Sequence, residues 1–162
     1  VLDAMGDDPV FASVPRRSPT RRLKLWGAGN GTGGRRRRSA VTAGAALDVG
    51  ESHLALRYGT DAGAVLDLVR ETPALGEPLT PSLPYLRAEV VFAARYEMAG
   101  TVDDVLTRRT RARLLDNAAS AAAAEDVAAL LASELGWDDA TQAAEVAAYR
   151  AACAAERAAA GL

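Results

Sequence analysis

Residues 27 to 38 read GAGNGTGGRRRR, and within them Gly29, Gly31 and Gly34 stand at G-x-G-x-x-G spacing. That spacing serves a turn that grips a pyrophosphate when a buried strand delivers the glycines to the first turn of a helix. The flanks do not supply those elements. RRLKLW precedes the glycines with three cations in six residues, where a central parallel strand is a near-continuous apolar run. Four arginines and SAVTAG follow, with Ser39 the one candidate cap and no apolar stripe to open a helix. Neither Asp48 nor Glu51 stands at the distance, or on the second strand, that a ribose contact needs. The stretch is expected to be a flexible Gly/Arg-rich linker.

Other chemistry-bearing residues are equally isolated. His53 is the sole histidine, with no cysteine or carboxylate at metal-ligand spacing, and is expected to be a packed or surface residue. Ser18, Ser39 and Ser52 lack a glycine elbow. Asp103 and Asp104 sit side by side near a helix start, where they favour the helix dipole rather than act as an acid/base pair. Arg108, Arg109, Arg111 and Arg113 are spread around a helix and are not all expected to serve one anion site. Cys153, the single cysteine, is expected to be an inert small residue in a terminal helix. Residues alone thus give a helical binding or structural module without a catalyst, and no metal or cofactor site in this chain.

The elements behind these residues follow from composition and pattern. The 162 residues suffice for one domain and an appendage. Residues 1 to 40 carry nine Lys/Arg against three acids, a net of +6, while the rest holds ten against eighteen, a net of −8. Such a basic arm can contact phosphates, but with Trp26 its one aromatic and no reader module behind it, nucleic acid is not the expected partner. No apolar run reaches the roughly 18 residues of a membrane span and no signal-peptide core opens the chain, so a cytoplasmic setting is expected.

From residue 47 the pattern is helical. Asp48 and Glu51 have capping-box spacing for a helix over 49 to 58 that Gly59 can end. Thr60 is placed as the cap of a second helix with Val65, Leu68 and Val69 on one stripe. Pro73, Pro78, Pro81 and Pro84 exclude a helix interior, and that stretch is expected on the surface. Leu86, Val90, Ala93, Ala94 and Met98 then recur at helical spacing up to Gly100. Thr101 and Asp104 form a cap for the helix of Val102, Val105, Leu106 and Arg109. SAAAAEDVAALLASELG is read as one helix ending at Gly136, and Asp138 or Asp139 caps the last. The fold class is all-α, a small bundle of about five helices behind an irregular basic N-terminal linker. Glu89 and Glu97 are expected to pair with arginines of the following helix, Glu97 with Arg108 in particular.

The ordered segments RRSPTRRLKLWGA, HLALRYG, PYLRAEVVFAARYEMAGTVDDVLTRRTRARLL and LGWDDATQAAEVAAYRAACAAERAA resemble the C-terminal helical domain of the FAD-dependent, membrane-associated glycerol-3-phosphate dehydrogenase and alpha-glycerophosphate oxidase family, over residues 15 to 160. VLDAMG at the start resembles the end of that family's flavin domain, while GNGTGGRRRR departs from its usually brief joint. The resemblance implies a remnant of the flavin-domain end plus linker over 1 to 46 and the helical domain over 47 to 162. It implies a fragment or truncated product of an oxidoreductase of glycerol metabolism that turns glycerol 3-phosphate into dihydroxyacetone phosphate, with electrons passing to quinone or oxygen. FAD is implied for the full-length family, held by residues this chain lacks, so the isolated segment is expected to be inactive. The implied partner is the flavin domain, with Arg87, Glu89, Glu97, Arg108, Arg109 and Arg111 as interdomain contacts. An uncovered docking face would favour self-association. Membrane contact would come only through the missing part, which would hold the full-length enzyme peripheral to the inner membrane. The alternative is a stand-alone helical module that binds protein, or nucleic acid through its basic arm.

Overall fold

In the computed structural model the described residues are 49 to 161, with side chains described from residue 53 onward. The G-x-G-x-x-G stretch, the basic arm, the Asp48/Glu51 cap and the 46/47 boundary lie outside them. Helix α1, Val49–Tyr58, ends where Gly59 takes φ 61°, a left-handed value that costs glycine nothing. A 3-10 turn over Gly59–Asp61 leads into α2, Ala62–Glu71. Thr60 therefore lies inside that turn and does not cap α2, whose N-cap position is Asp61 without a side-chain hydrogen bond.

The proline-rich stretch does more than cross the surface. After a 3-10 turn over Pro73–Gly76, β1 (Pro78–Thr80) pairs antiparallel with β2 (Leu83–Leu86). Pro78 opens its strand and Pro81 stands in the connecting turn, positions that require no ladder N–H. The ribbon buries Leu79, Thr80 and Tyr85, and it was hidden in the sequence because the prolines argue equally for a loop.

The centre of the molecule is α3, Arg87–Tyr96, in which all six residues from Ala88 to Ala93 are buried. Ala88, Val91 and Phe92 join Leu54, Tyr58, Val65 and Leu68 of α1 and α2 in one core cluster. Val90 and Ala93 face a second, larger one with Val102, Val105, Leu106, Val127, Leu131 and Tyr149. A helix buried on both sides carries little polarity, and burial of a side chain such as Phe92 contributes about 1.5–3 kcal/mol. Glu89 is the exception in that run, and it organises the site described below.

Helix α3 stops at Tyr96, four residues before Gly100. The amides of Glu97 and Ala99 both donate to the Ala93 carbonyl at 3.0 Å, and Met98 between them takes φ 56°. This is a left-handed helix end with a methionine where glycine is usual, and it turns Met98 outward to 89% exposure. Met98 is thus off the buried stripe on which periodicity alone puts it.

The expected cap follows: Asp104 N donates to Thr101 Oγ1 at 3.0 Å and Gly100 N to Asp104 Oδ2 at 3.1 Å. The turn it opens is wider than an α-helix. Asp104–Arg109 is π-helical, closed by Thr110 N donating to Val105 O at 2.8 Å while the buried Thr110 hydroxyl bonds the same carbonyl. Arg111 takes φ 59° before the single-turn α4, Ala112–Leu115.

The alanine-rich third also divides once more than expected. Asp116 caps α5 (Asn117–Ala122) by accepting from Ala119 N at 2.9 Å, and a turn at Ala123 separates it from α6, Ala124–Leu135. Gly136 ends α6 at φ 71° and Asp138 caps α7, Asp139–Ala159, through Thr141 N at 2.8 Å. The described residues thus hold seven α-helices, a π-turn and a two-stranded ribbon rather than about five helices. Helix α6 packs between α3 and α7. Cys153 is fully buried in the contact.

Candidate functional site

Helix α1 projects His53 and Arg57, four residues apart on one face, toward α3, and Tyr58 reaches it from the flank of that face. Their common target is Glu89, whose side chain is fully buried. Glu89 Oε1 accepts from Leu86 N at 3.0 Å and lies 3.2 Å from His53 Nε2. Glu89 Oε2 accepts from Tyr58 Oη at 2.9 Å and stands 3.2 Å from Arg57 Nε. That last contact is ionic without hydrogen-bond alignment, for the buried Nε has no hydrogen-bond partner. One carboxylate thus closes the first turn of α3 and fastens α1 to it. Burial of a charge on these terms is tolerable because every face of it meets a donor or a cation.

The surroundings tune the ionisable groups. Burial, reinforced by the Glu89 charge, pushes the Tyr58 hydroxyl far above the usual phenol range. Burial also raises Tyr85, with Arg57 and Arg111 opposing the shift. Burial opposes the charge of Arg57, but Tyr58 and Glu89 outweigh it and hold the guanidinium above its ordinary value. That guanidinium lies 5.2 Å from the Tyr58 ring centre and 5.7 Å from that of Tyr85, within cation–π range.

Above Glu89 opens a cleft of 540 Å³ lined by Arg57, Tyr58, Tyr85, Glu97 and the segment from Arg108 to Arg111, with Leu114 and Leu115 on its rim. Arg57 donates to the Arg109 carbonyl. Arg109 in turn donates from Nε and its terminal nitrogen to the Glu97 carbonyl at 3.1 and 2.6 Å, and its Nε stands 3.8 Å from Glu97 Oε2. The exposed end of α3, the π-turn and α1 are therefore tied through two arginines. Arg108 pairs with Asp103, at 3.0 Å, and with Asp104. Among the described residues Arg111 pairs with no carboxylate, and its left-handed backbone holds it exposed beside the cleft. Leu114 and Leu115 are 79% and 61% exposed.

The six sequence-predicted contact residues thus divide. Glu97, Arg108, Arg109 and Arg111 line the one cleft, and Glu89 lies buried beneath it. Arg87 points elsewhere, to Asp126 at 2.7 Å and Glu77 at 2.5 Å. Two pairings differ from expectation. Glu89 pairs with Arg57 of α1, because α1 and not the π-turn covers that face of α3; Glu97 meets Arg109, while Arg108 turns to the aspartates of its own turn. Three of the four clustered arginines line the cleft, brought together by the wider π-turn and the left-handed Arg111, so the four do not all serve one site. Arg113 leaves for Glu156 at 2.6 Å and the Ala152 carbonyl at 3.1 Å. Arg57, Tyr58, Tyr85 and the two leucines were missed, although His53, Arg57 and Glu89 in a sequence with one histidine were a signal that a buried carboxylate had partners.

Cationic side chains with an apolar rim thus line one cleft of a helical domain. Among the described residues no group of three or more His, Cys, Asp or Glu could hold a metal ion, and no helix is long and apolar enough to cross a membrane. Comparison with known proteins places this architecture. Residues 18–142 match the family model described as the C-terminal domain of alpha-glycerophosphate oxidase, and the chain belongs to that family. It is 41% identical over 85 residues to a glycerol-3-phosphate dehydrogenase of Synechocystis sp., covering 52% of this chain and 15% of that protein. It is 37% identical over 102 residues to a mitochondrial glycerol-3-phosphate dehydrogenase of Arabidopsis thaliana, covering 63% and 16%. A glycerol-3-phosphate dehydrogenase of Mycobacterium leprae is 38% identical over 104 residues, covering 64% and 18%. The matched part is thus less than a fifth of the length of each relative. No solved structure matches the chain.

Proposed function

We propose that this chain is the helical domain of an FAD-dependent glycerol-3-phosphate dehydrogenase, and that it serves the enzyme by docking onto the flavin domain through the arginine cleft. The observation that carries the reading is the family match over residues 18–142. The oxidation of glycerol 3-phosphate to dihydroxyacetone phosphate, with transfer of electrons to quinone or oxygen, belongs to the flavin domain. FAD would supply the hydride chemistry there. The described residues do not fit the flavin: the one sheet among them is an antiparallel ribbon, with no parallel strand feeding a glycine turn into a helix. No step is therefore assigned to this domain beyond contact and architecture.

In this reading residues 1 to 46 are the flavin-domain end and linker, and 47 to 162 the helical domain. Glu97, Arg108, Arg109 and Arg111 touch the partner, Glu89 holds the cleft in shape from below, and Arg87 contributes to a neighbouring part of the surface. The isolated chain is inactive and cytoplasmic, and the full enzyme sits peripherally on the inner membrane. Exposed Leu56, Tyr96, Met98, Leu114 and Leu115 favour self-association when the partner is absent. The test is binding of the full chain to a Synechocystis dehydrogenase shortened by its matched C-terminal part. Capture that is lost in Arg109→Glu/Arg111→Glu supports the reading; no capture, or capture indifferent to those charges, overturns it.

A further inference from the structure

The cleft keeps donors that its own acids do not use. Arg57 spends one terminal nitrogen on the Arg109 carbonyl and holds Nε against Glu89. Arg109 spends Nε and one terminal nitrogen on the Glu97 carbonyl. Each of these guanidiniums thus retains its second terminal nitrogen without a partner among the described residues. Arg108 is taken up by Asp103 and Asp104. Arg111 is the reverse case: its five N–H donors meet no carboxylate among the described residues.

Tyr85 stands in the same wall. It is 5% exposed, yet its hydroxyl has no hydrogen-bond partner among the described residues, where a buried tyrosine normally finds one. Burial raises that hydroxyl's pKa, and Arg57 and Arg111 oppose the rise, so both guanidiniums lie close to it. The carboxylates nearby do not cancel the surplus. Glu97, the one acid of the lining, faces Arg109, and Glu89 beneath is engaged by His53, Arg57 and Tyr58.

We propose that the cleft binds a tetrahedral oxyanion of the phosphate class, held by the Arg111 guanidinium and the Tyr85 hydroxyl, with the spare nitrogens of Arg57 and Arg109 completing the shell. Guanidinium forks fit both phosphate and carboxylate oxygens. The direction of approach separates the two. The donors come from four places in the fold: α1, β2, the π-turn and the left-handed residue after it. A planar carboxylate offers its lone pairs in one plane, whereas a tetrahedral anion presents an oxygen to each side. Leu114 and Leu115 on the rim leave room for an apolar substituent on a phosphate ester. The site belongs to this chain alone and does not rest on docking of the flavin domain; if docking also occurs, anion and partner compete for Arg111.

An NMR titration of the ¹⁵N-labelled full chain with inorganic phosphate tests it without any partner, at constant ionic strength so that screening does not change. Saturable shifts centred on Tyr85 and Arg111 are expected, with a dissociation constant of about 1 mM or tighter. Arg111→Gln, at an exposed position that leaves the core intact, should weaken binding about tenfold, and Tyr85→Phe about fivefold or more. Arg150→Gln, outside the cleft and paired with Glu125, should leave it unchanged. Circular dichroism confirms that each variant is folded. Malonate, a dianion of planar carboxylates, should bind more weakly than phosphate. n-Butyl phosphate separates two sources of the anion: a gain over inorganic phosphate that Leu114→Ser removes assigns the site to an apolar phosphate ester, and no gain assigns it to the free anion. Shifts that do not saturate by about 20 mM phosphate, affinity indifferent to Arg111→Gln, or tighter binding of malonate overturns the proposal.

Discussion

Replacing Glu89 by Gln changes no heavy-atom count and removes one charge from the point where α1, the ribbon and α3 meet. The amide nitrogen must occupy one of two positions. On the Oε1 side it confronts Leu86 N and the ring of His53; on the Oε2 side it confronts Tyr58 Oη and Arg57. Either way a donor faces donors, and Arg57 loses its counter-charge. Hydrogen bonds to a charged group are worth about 1.5–3 kcal/mol against roughly 0.5–1.5 for neutral ones, and breaking a buried pair costs about 3–5. Arg57 keeps 24% side-chain exposure, its bond to the Arg109 carbonyl and two aromatic neighbours, which places the expected loss near the lower end, about 2–4 kcal/mol. With a urea slope of about 1–1.5 kcal/mol/M for a domain of this size, the midpoint should fall by about 2 M. Equilibrium urea unfolding followed by far-UV circular dichroism measures it. A loss below about 1 kcal/mol would refute the reasoning, because that is the value of a solvated surface pair, and Glu89 would then not be the buried anchor described.

Five further outcomes follow from the geometry. Met98→Gly should raise stability by roughly 0.5–1 kcal/mol, since it relieves a left-handed methionine that buries nothing; thermal unfolding reads it, and a drop would contradict the left-handed helix end. Arg109→Ala should cost about 1.5–3 kcal/mol by leaving the Glu97 carbonyl uncapped, while a double-mutant cycle between Glu97 and Arg108 should show no coupling. Burial, with Cys153 adding, holds the Tyr149 hydroxyl up to about 12; a phenol raised in the folded state has its stability intact below the unfolded value and loses it as pH rises from about 10 toward 12. Tyr149→Phe should flatten that alkaline loss in urea titrations. At the acid end, burial opposes ionisation of Asp104, but bonds from Gly100, Thr101 and Arg108 outweigh it and hold the carboxyl low; its contribution is present above about pH 4 and is lost as pH falls through its folded value, and Asp104→Asn should remove that part of the acid dependence.

Helix positions were legible wherever one face met one core. Val65 and Leu68, Val127 and Leu131, and the glycine ends at 59 and 136 all follow from period and left-handed chemistry. Legibility failed where a residue's role depends on a neighbour far along the chain. Met98 has the right period and the wrong backbone, because the turn after Glu97 comes early. The π-turn is invisible to a 3.6-residue template, since one extra residue between Val105 and Thr110 is absorbed by the Thr110 hydroxyl. Thr60 has good cap chemistry, but Gly59 begins a 3-10 turn that moves the helix start beyond it. The cleft was half visible: its arginines stood out as a run, whereas Arg57 and Tyr85 reach it only after α1 and the ribbon fold against α3.

If these residues dock onto the flavin domain of a glycerol-3-phosphate dehydrogenase, as proposed, they should serve in place of the matched domain of a relative. The most direct measurement is dye reduction dependent on glycerol 3-phosphate by a chimera in which the Synechocystis enzyme carries residues 49–161 of this chain in place of its own matched part. Activity well above that of the shortened enzyme is expected, with its loss on Arg109→Glu/Arg111→Glu. A chimera that folds and binds FAD yet is no more active than the shortened enzyme, or one indifferent to those charges, would contradict the proposal.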